Sequence, residues 1–222
     1  MVQNTGHSVM NQRTESLASP DDFPTQPWAT RALCEFLTEQ GRNLSSRSVF
    51  EPACGRGTMM RPLAESFRSC HGADAFDYGK GYPVANFLDP EFDEHLVDGS
   101  PPDWIVTNPP FKNLDAFAQL SLQRARQGVA LFCRLTALET IGRHNLFFAE
   151  KPVARRVNQV LVFSERVPLV RARLDPKAST ATAYCWLIWT DTNCTPDDRP
   201  VQIHWTRPGT RARLEREGDY SF

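Results

Sequence analysis

Asn108-Pro109-Pro110-Phe111 puts an amide, two rigid carbonyls and an aromatic ring side by side. The preceding Ile105 and Val106 read as the end of a buried strand. Pro109 and Pro110 cannot donate backbone hydrogen bonds, so the strand stops before them. In open α/β sheets, ligands bind at that end of the strands. The Asn108 side-chain oxygen is an acceptor, and so is the carbonyl of Asn108 or Pro109. Two acceptors held together can take both hydrogens of a planar amino group. Phe111 can stack on the ring that carries it. Accepting both hydrogens drives the nitrogen toward tetrahedral geometry and frees its lone pair for attack. Taken alone, the four residues also fit an ordinary strand-ending turn, because Asn-Pro commonly starts one.

A second cluster lies earlier, at Glu51-Pro52-Ala53-Cys54-Gly55-Arg56-Gly57-Thr58. A short strand, Val49-Phe50, runs into a Gly-x-Gly turn and then a helix carrying Met59, Leu63, Ala64 and Phe67. Glycines permit positive φ and close approach of a ligand to backbone N–H groups. The Gly-Lys-Ser/Thr of a phosphate loop is missing, as is a third glycine spaced for a dinucleotide. Glu51 repels a pyrophosphate and suits an amino group. After the next short strand, 71–79, an acid can hold ribose hydroxyls. Asp74 and Asp77 compete for that role, and Asp74 is preferred. Asn86 can hydrogen-bond a nucleoside edge with Phe87 against its face, while the acidic stretch that follows reads as solvated surface.

The elements that must position these groups are legible in outline. Thr25 reads as an N-cap, or as a cleft-lining hydroxyl, and Pro27 suits a first helical turn. Trp28, Ala32, Leu33, Phe36 and Leu37 recur at helical spacing up to Gly41. Residues 114–125 predict a helix, and a short one follows near 138–148. Strands are predicted at 128–135, 157–163, 183–189 and 201–205. Between two of them lies a long basic stretch, 164–180, and loops of that length are usually functional. Its Arg166, Arg171, Arg173 and Lys177 are candidates for phosphate contacts, as are Arg155 and Arg156. The same cations also fit a scattered solvated surface.

The chain has 222 residues, 41% hydrophobic, enough for one α/β domain with a proper core. Residues 1–19 read as a disordered or loosely packed arm, and 20–222 as a single domain. Net charge is −1, so tight binding to nucleic acid needs a local basic face. Six cysteines without a CxxC pair predict reduced core residues of a cytoplasmic protein, with no disulfide frame and no metal site. No apolar stretch reaches membrane length.

In their order, Phe50-Glu51-Pro52-Ala53-Cys54-Gly55-Arg56-Gly57 and Asn108-Pro109-Pro110-Phe111 resemble the class I S-adenosylmethionine-dependent methyltransferases, specifically the adenine-N6 DNA methyltransferases of bacterial and phage type. The resemblance spans about residues 23–190. It implies a Rossmann-like fold: a mostly parallel central sheet, helices on both faces and an antiparallel last strand. It implies that Glu51, Cys54 and Gly55 cradle the methionine end of the cofactor, with Pro52, Ala53 and Gly57 also among the cofactor-binding residues. Thr25 and Trp28 belong to the element closing over that end, Asp74 takes the ribose, and Asn86 and Phe87 hold the adenine. Many relatives have Asp-Phe-Leu where this chain has Asn86-Phe87-Leu88. Asn108, Pro109, Pro110 and Phe111 become the catalytic corner. The implied acceptor is adenine N6 in DNA, either a base flipped from a duplex or one in a single strand. About thirty residues follow position 190, too few for a separate target-recognition domain, so low sequence specificity is expected, or a site read by the 164–180 loop and the C-terminal tail. The same chemistry also fits an rRNA adenine or a protein glutamine, and a non-enzymatic reading is an inactive cofactor-binding subunit. The oligomeric state is left open.

Overall fold

The computed structural model describes residues 21–92, 100–149, 155–191 and 200–221. The expected N-terminal arm, Cys194 and the acids Asp93 and Glu94 fall outside them. Seven strands form one sheet: β1 (Ser48–Glu51), β2 (Ser69–Gly72), β3 (Trp104–Thr107), β4 (Gly128–Arg134), β5 (Gln159–Val162), β6 (Tyr184–Thr190) and β7 (Gln202–Trp205). Their order is β2-β1-β3-β4-β6-β5-β7. Every pairing is parallel except those of β6 with β4 and β5. The antiparallel strand is therefore the sixth, and a short β7 follows it in the chain and adds to the edge beyond β5. The predicted strand at 71–79 lies earlier, at 69–72, and its remainder turns away.

Strand order changes direction between β1 and β3, which opens a crevice at their carboxyl ends. Val49 pairs with Trp104 and Phe50 with Ile105. That register brings Glu51 and Asn108 to the same edge of the sheet. The inner strands β1, β3, β4 and β6 are buried on both faces, which explains their largely apolar sequences. Val49, Val106, Phe132 and Trp186 face one core with helix α1 (Pro27–Glu39) and helix α2 (Met60–Ala64). Phe50, Ile105, Leu131 and Trp189 face the other with helix α3 (Leu114–Arg124). Cys133 and Cys185 meet across β4 and β6 as free thiols, their sulfurs 3.9 Å apart.

Helix α1 begins at Pro27, where the missing N–H would be unsatisfied anyway, and stops before Gly41 at φ +79°. Its cap position is Gln26, without a side-chain cap, so the expected N-cap role of Thr25 is corrected. Arg31, on the buried face of α1, grips Asp219 at 2.7 and 2.8 Å and Glu65 at 2.8 and 3.0 Å. It also donates to the Leu214 carbonyl at the end of helix α4 (Thr210–Leu214). This clamp fixes the C-terminal segment to α1 and α2. The expected short helix near 138–148 is instead a single helical turn followed by a wider turn at His144–Phe148. Among the described residues, no helix is long and apolar enough to cross a membrane.

Candidate functional site

At the carboxyl ends of β1 and β3 lies a cleft of about 620 Å3, within the range that holds small-molecule ligands. Gly55 and Asn108 both line it, so the two sequence clusters meet across one cavity. Glu51, Pro52, Ala53 and Cys54 line it as well, with Asp74, Asn86 and Phe87 on the same side and Thr25, Pro109, Pro110 and Phe111 on the other.

The first wall is built by β1 and the turn after it. Glu51 is fully buried, and its Oε1 accepts from the Ala53 N–H at 3.1 Å. Its Oε2 is buried without a partner. Burial pushes this carboxyl up to about 8, and the neighbouring Asp74 charge adds to the rise. Burial therefore holds Glu51 largely protonated at neutral pH. Gly55 sits at φ +52°, and its N–H donates to Asp74 Oδ2 at 2.8 Å. Asp74 Oδ1 accepts from the Phe76 N–H at 2.9 Å, and burial raises this carboxyl too. Asp74 thus holds the glycine turn in place. Asp77 instead caps the Gly79 N–H at 2.7 Å and does not line the cleft. A single parallel bridge, Asp74 to Val84, then delivers Asn86 and Phe87. Phe87 is pinned between Phe92 and Phe117, with the Arg124 guanidinium 4.7 Å over its ring. Asn86 is exposed, and its oxygen accepts from the Leu88 N–H at 3.1 Å.

The second wall is the Asn108 corner. Asn108 Nδ2 donates to the Phe23 carbonyl and to Thr25 Oγ1, both at 3.0 Å. A carbonyl can only accept, so these partners fix which end of the amide is nitrogen. Asn108 Oδ1 is left without a partner. Phe111 is held by its N–H, which donates to Asp21 Oδ2 at 2.9 Å. Its ring lies 5.9 Å from Phe23, and the Arg134 guanidinium stands 4.4 Å over it. Arg134 ends β4 and lines the same cleft.

Residues 21–25 strap the two walls together. Asp21 holds Phe111, Asp22 pairs with Arg56 of the glycine turn at 2.9 Å, and Phe23 and Thr25 hold Asn108. Sequence reasoning missed Asp21, Asp22, Arg56 and Arg134. A cation ending a central parallel strand is a signal that could have revealed Arg134. No local pattern marks the two aspartates, which act on residues far along the chain.

Two residues expected at the cofactor do not reach the cleft. Trp28 is fully buried in the core, edge-on to Phe163 at 5.6 Å, because its position on α1 faces the sheet. Gly57 sits at φ +82°, and a Cβ there would strike the Tyr82 ring. It is a packing glycine, and Tyr82 is the reason. Arg166, Arg171, Arg173 and Lys177 are exposed, and none lines the cleft. Their loop touches its lip, where the Ala172 N–H donates to the Asp22 carbonyl at 2.8 Å.

No protein-family model matches the chain, and no curated protein matches it in sequence. Solved structures do share its fold. One is a Listeria monocytogenes protein provisionally assigned as a class I S-adenosylmethionine-dependent methyltransferase. It has 10% identity and a TM-score of 0.56 over 88% of this chain and 71% of that one. A type I restriction-modification system methyltransferase subunit from Streptococcus thermophilus gives 11% and 0.51, over 90% and 54%. The chain thus spans about half the length of that subunit. A provisionally assigned RNA methyltransferase from Pyrococcus horikoshii gives 14% and 0.51, over 80% and 93%. At these identities the likeness is one of fold, and the fold is the Rossmann-like class I methyltransferase fold.

Proposed function

We propose that the protein binds S-adenosylmethionine in this cleft and methylates N6 of adenine in DNA, with low sequence specificity. The observation that carries the reading is the Asn108 amide. Both its N–H groups are committed to the strap, and its oxygen is buried with no partner in a residue that lines the shared cleft. A buried acceptor without a donor is costly, by about 1–3 kcal/mol, so it fits a ligand that brings a donor.

The first wall fits the cofactor. A buried carboxyl with one free oxygen suits the ammonium of an amino acid, and Glu51 would ionise beside it. Asp74 would take ribose hydroxyls, and Asn86 and Phe87 the adenine. When bound, the cofactor supplies an electrophilic methyl group on a sulfonium. Asn108 Oδ1 and the Pro109 carbonyl would accept the two hydrogens of the target amine and turn its lone pair toward that methyl. Phe111 would stack on the target base. Catalysis would come chiefly from positioning. In a duplex one N6 hydrogen is paired and both ring faces are stacked, so the base must be flipped or unpaired to offer both hydrogens and a face. The exposed cations of the 164–180 loop would contact phosphates, which position a strand without reading its sequence. The restriction-modification subunit that shares the fold favours DNA among the acceptors.

Methyl-labelled cofactor incubated with DNA, RNA and protein tests the reading. Label is expected in N6-methyladenine from digested DNA. Label in protein alone would overturn the acceptor.

A further inference from the structure

The carboxyl edge of the sheet carries a second feature, some distance from the cleft. Trp205 is the last residue of β7, and it is 63% exposed. The chain has five tryptophans, and the other four, Trp28, Trp104, Trp186 and Trp189, are fully buried. Val162 of β5 pairs with Trp205 in parallel, which puts the indole on the same edge as Asn108. Counting along β3-β4-β6-β5-β7, four strand spacings separate them, about 19 Å.

The ground between is basic. The 164–177 stretch is tied to β7 at one end, where the Ser164 N–H donates to Thr206 Oγ1 at 3.0 Å. Through Ala172 it also reaches the cleft lip at Asp22. Arg166, Arg171, Arg173 and Lys177 along it are exposed. Arg207, two residues past the indole, is also exposed. Arg173 pairs with Asp175 only at 3.5 Å and Arg207 with Glu39 only at 3.4 Å, both at the surface. Such pairs contribute little and exchange readily for phosphate. One exposed apolar side chain by itself means nothing. An exposed indole flanked by cations, on the edge that carries the cleft, matches how proteins hold single strands: cations follow the backbone, and aromatic rings stack on bases. A duplex hides its base faces and offers the indole nothing to stack on.

We propose that a single-stranded polynucleotide runs along this edge from the Asn108 corner to β7, with one base stacked on Trp205. The proposal rests on the nucleic-acid reading above and extends it: the acceptor strand is unpaired over several nucleotides, and the protein grips it well beyond the target base.

Because the other tryptophans are buried, iodide quenching of fluorescence in the full chain reports on Trp205. The probes are a single-stranded DNA of about 12 nucleotides containing one adenine, the same sequence as a duplex, and a trinucleotide. The longer single strand is expected to change the fluorescence and shield it from iodide. Trp205→Ala should lower the ratio of affinities for the long and short strands by about tenfold, and Trp205→Phe should restore most of it. A thermal melt checks that both variants fold. If Trp205→Ala leaves the ratio unchanged, or iodide still reaches the indole in the complex, the stacking contact does not exist. If the duplex shields the indole equally well, the single-strand assignment is overturned. If the strand shields Trp205 yet no adenine is methylated, the track stands and the acceptor reading falls.

Discussion

Asn108 owes its orientation to residues more than eighty positions earlier: 85 to Phe23 and 83 to Thr25. Two variants separate what it does from what holds it. Asn108→Ala removes the free acceptor and is expected to lower kcat by about 100-fold or more, the scale seen when one preorganised polar group is lost from a reacting centre. Cofactor affinity, measured by calorimetry, should change little. Thr25→Val keeps the acceptor and removes one of its two supports, so a loss of about tenfold or less is expected. Equal losses in the two variants would mean that Asn108 serves the strap and not the acceptor. Glu51 gives a prediction in pH. Its carboxyl is raised in the folded chain to about 8, against about 4.3 in an unfolded one. Between those values the folded state holds a proton that the unfolded state has released. Stability from this group is therefore fully present below about pH 4 and is lost progressively as pH rises toward 8. Glu51→Gln removes the dependence. Its melting temperature relative to the parent should climb from pH 5 to pH 8, although the variant binds cofactor more weakly. A flat difference across that range would show that Glu51 is not held protonated.

At the scale of elements, the strap and the clamp do different work. The strap, 21–25, makes its contacts near the cleft, where a ligand can take part in them. The clamp on α1 is remote from the cleft, and Arg31 and Asp219 are both almost wholly buried. Removing one partner strands a buried charge, so Asp219→Ala should destabilise by about 3–5 kcal/mol in urea denaturation. Arg207→Ala, which breaks an exposed pair, should stay within about 1 kcal/mol. A similar loss in the two variants would place the clamp in solvent. These elements also mark where the sequence was readable. Pro109 and Pro110 declared the end of β3, Gly41 the end of α1, and β-branched and aromatic runs the inner strands, because each signal is local. Trp28 was assigned to the cofactor by the resemblance, whereas its helical spacing with Leu33, Phe36 and Leu37 already pointed to the core that it occupies. Gly57 looked like part of a ligand cradle because Tyr82, the ring that requires it, lies 25 residues on. Asp21 and Asp22 carried no signal, since their work is done across the fold. The approach of the glycine turn to the Asn108 corner needed the parallel register of β1 with β3, which sequence alone does not set.

For the molecule as a whole, charge decides how it can meet a polyanion. The net charge of −1 gives no general attraction, so association must depend on where cations are gathered. The loop between β5 and β6 gathers several at one edge, and its backbone is fastened to the cleft lip and to the segment after β7. Fastening matters because a loose basic loop would lose much of its electrostatic gain in ordering itself on a strand. If the edge works as a phosphate track, its contribution is countable. Each neutralised phosphate of a single strand adds about 0.7 to the slope of log affinity against log salt. Combining Arg171→Ala, Arg173→Ala and Lys177→Ala should therefore flatten that slope by about 2, and weaken binding at low salt far more than at high salt. These side chains lie outside the cleft, so the variant should bind S-adenosylmethionine as the parent does. An unchanged slope would mean that the strand approaches from another side, and that the cations of this edge serve only to keep the surface solvated.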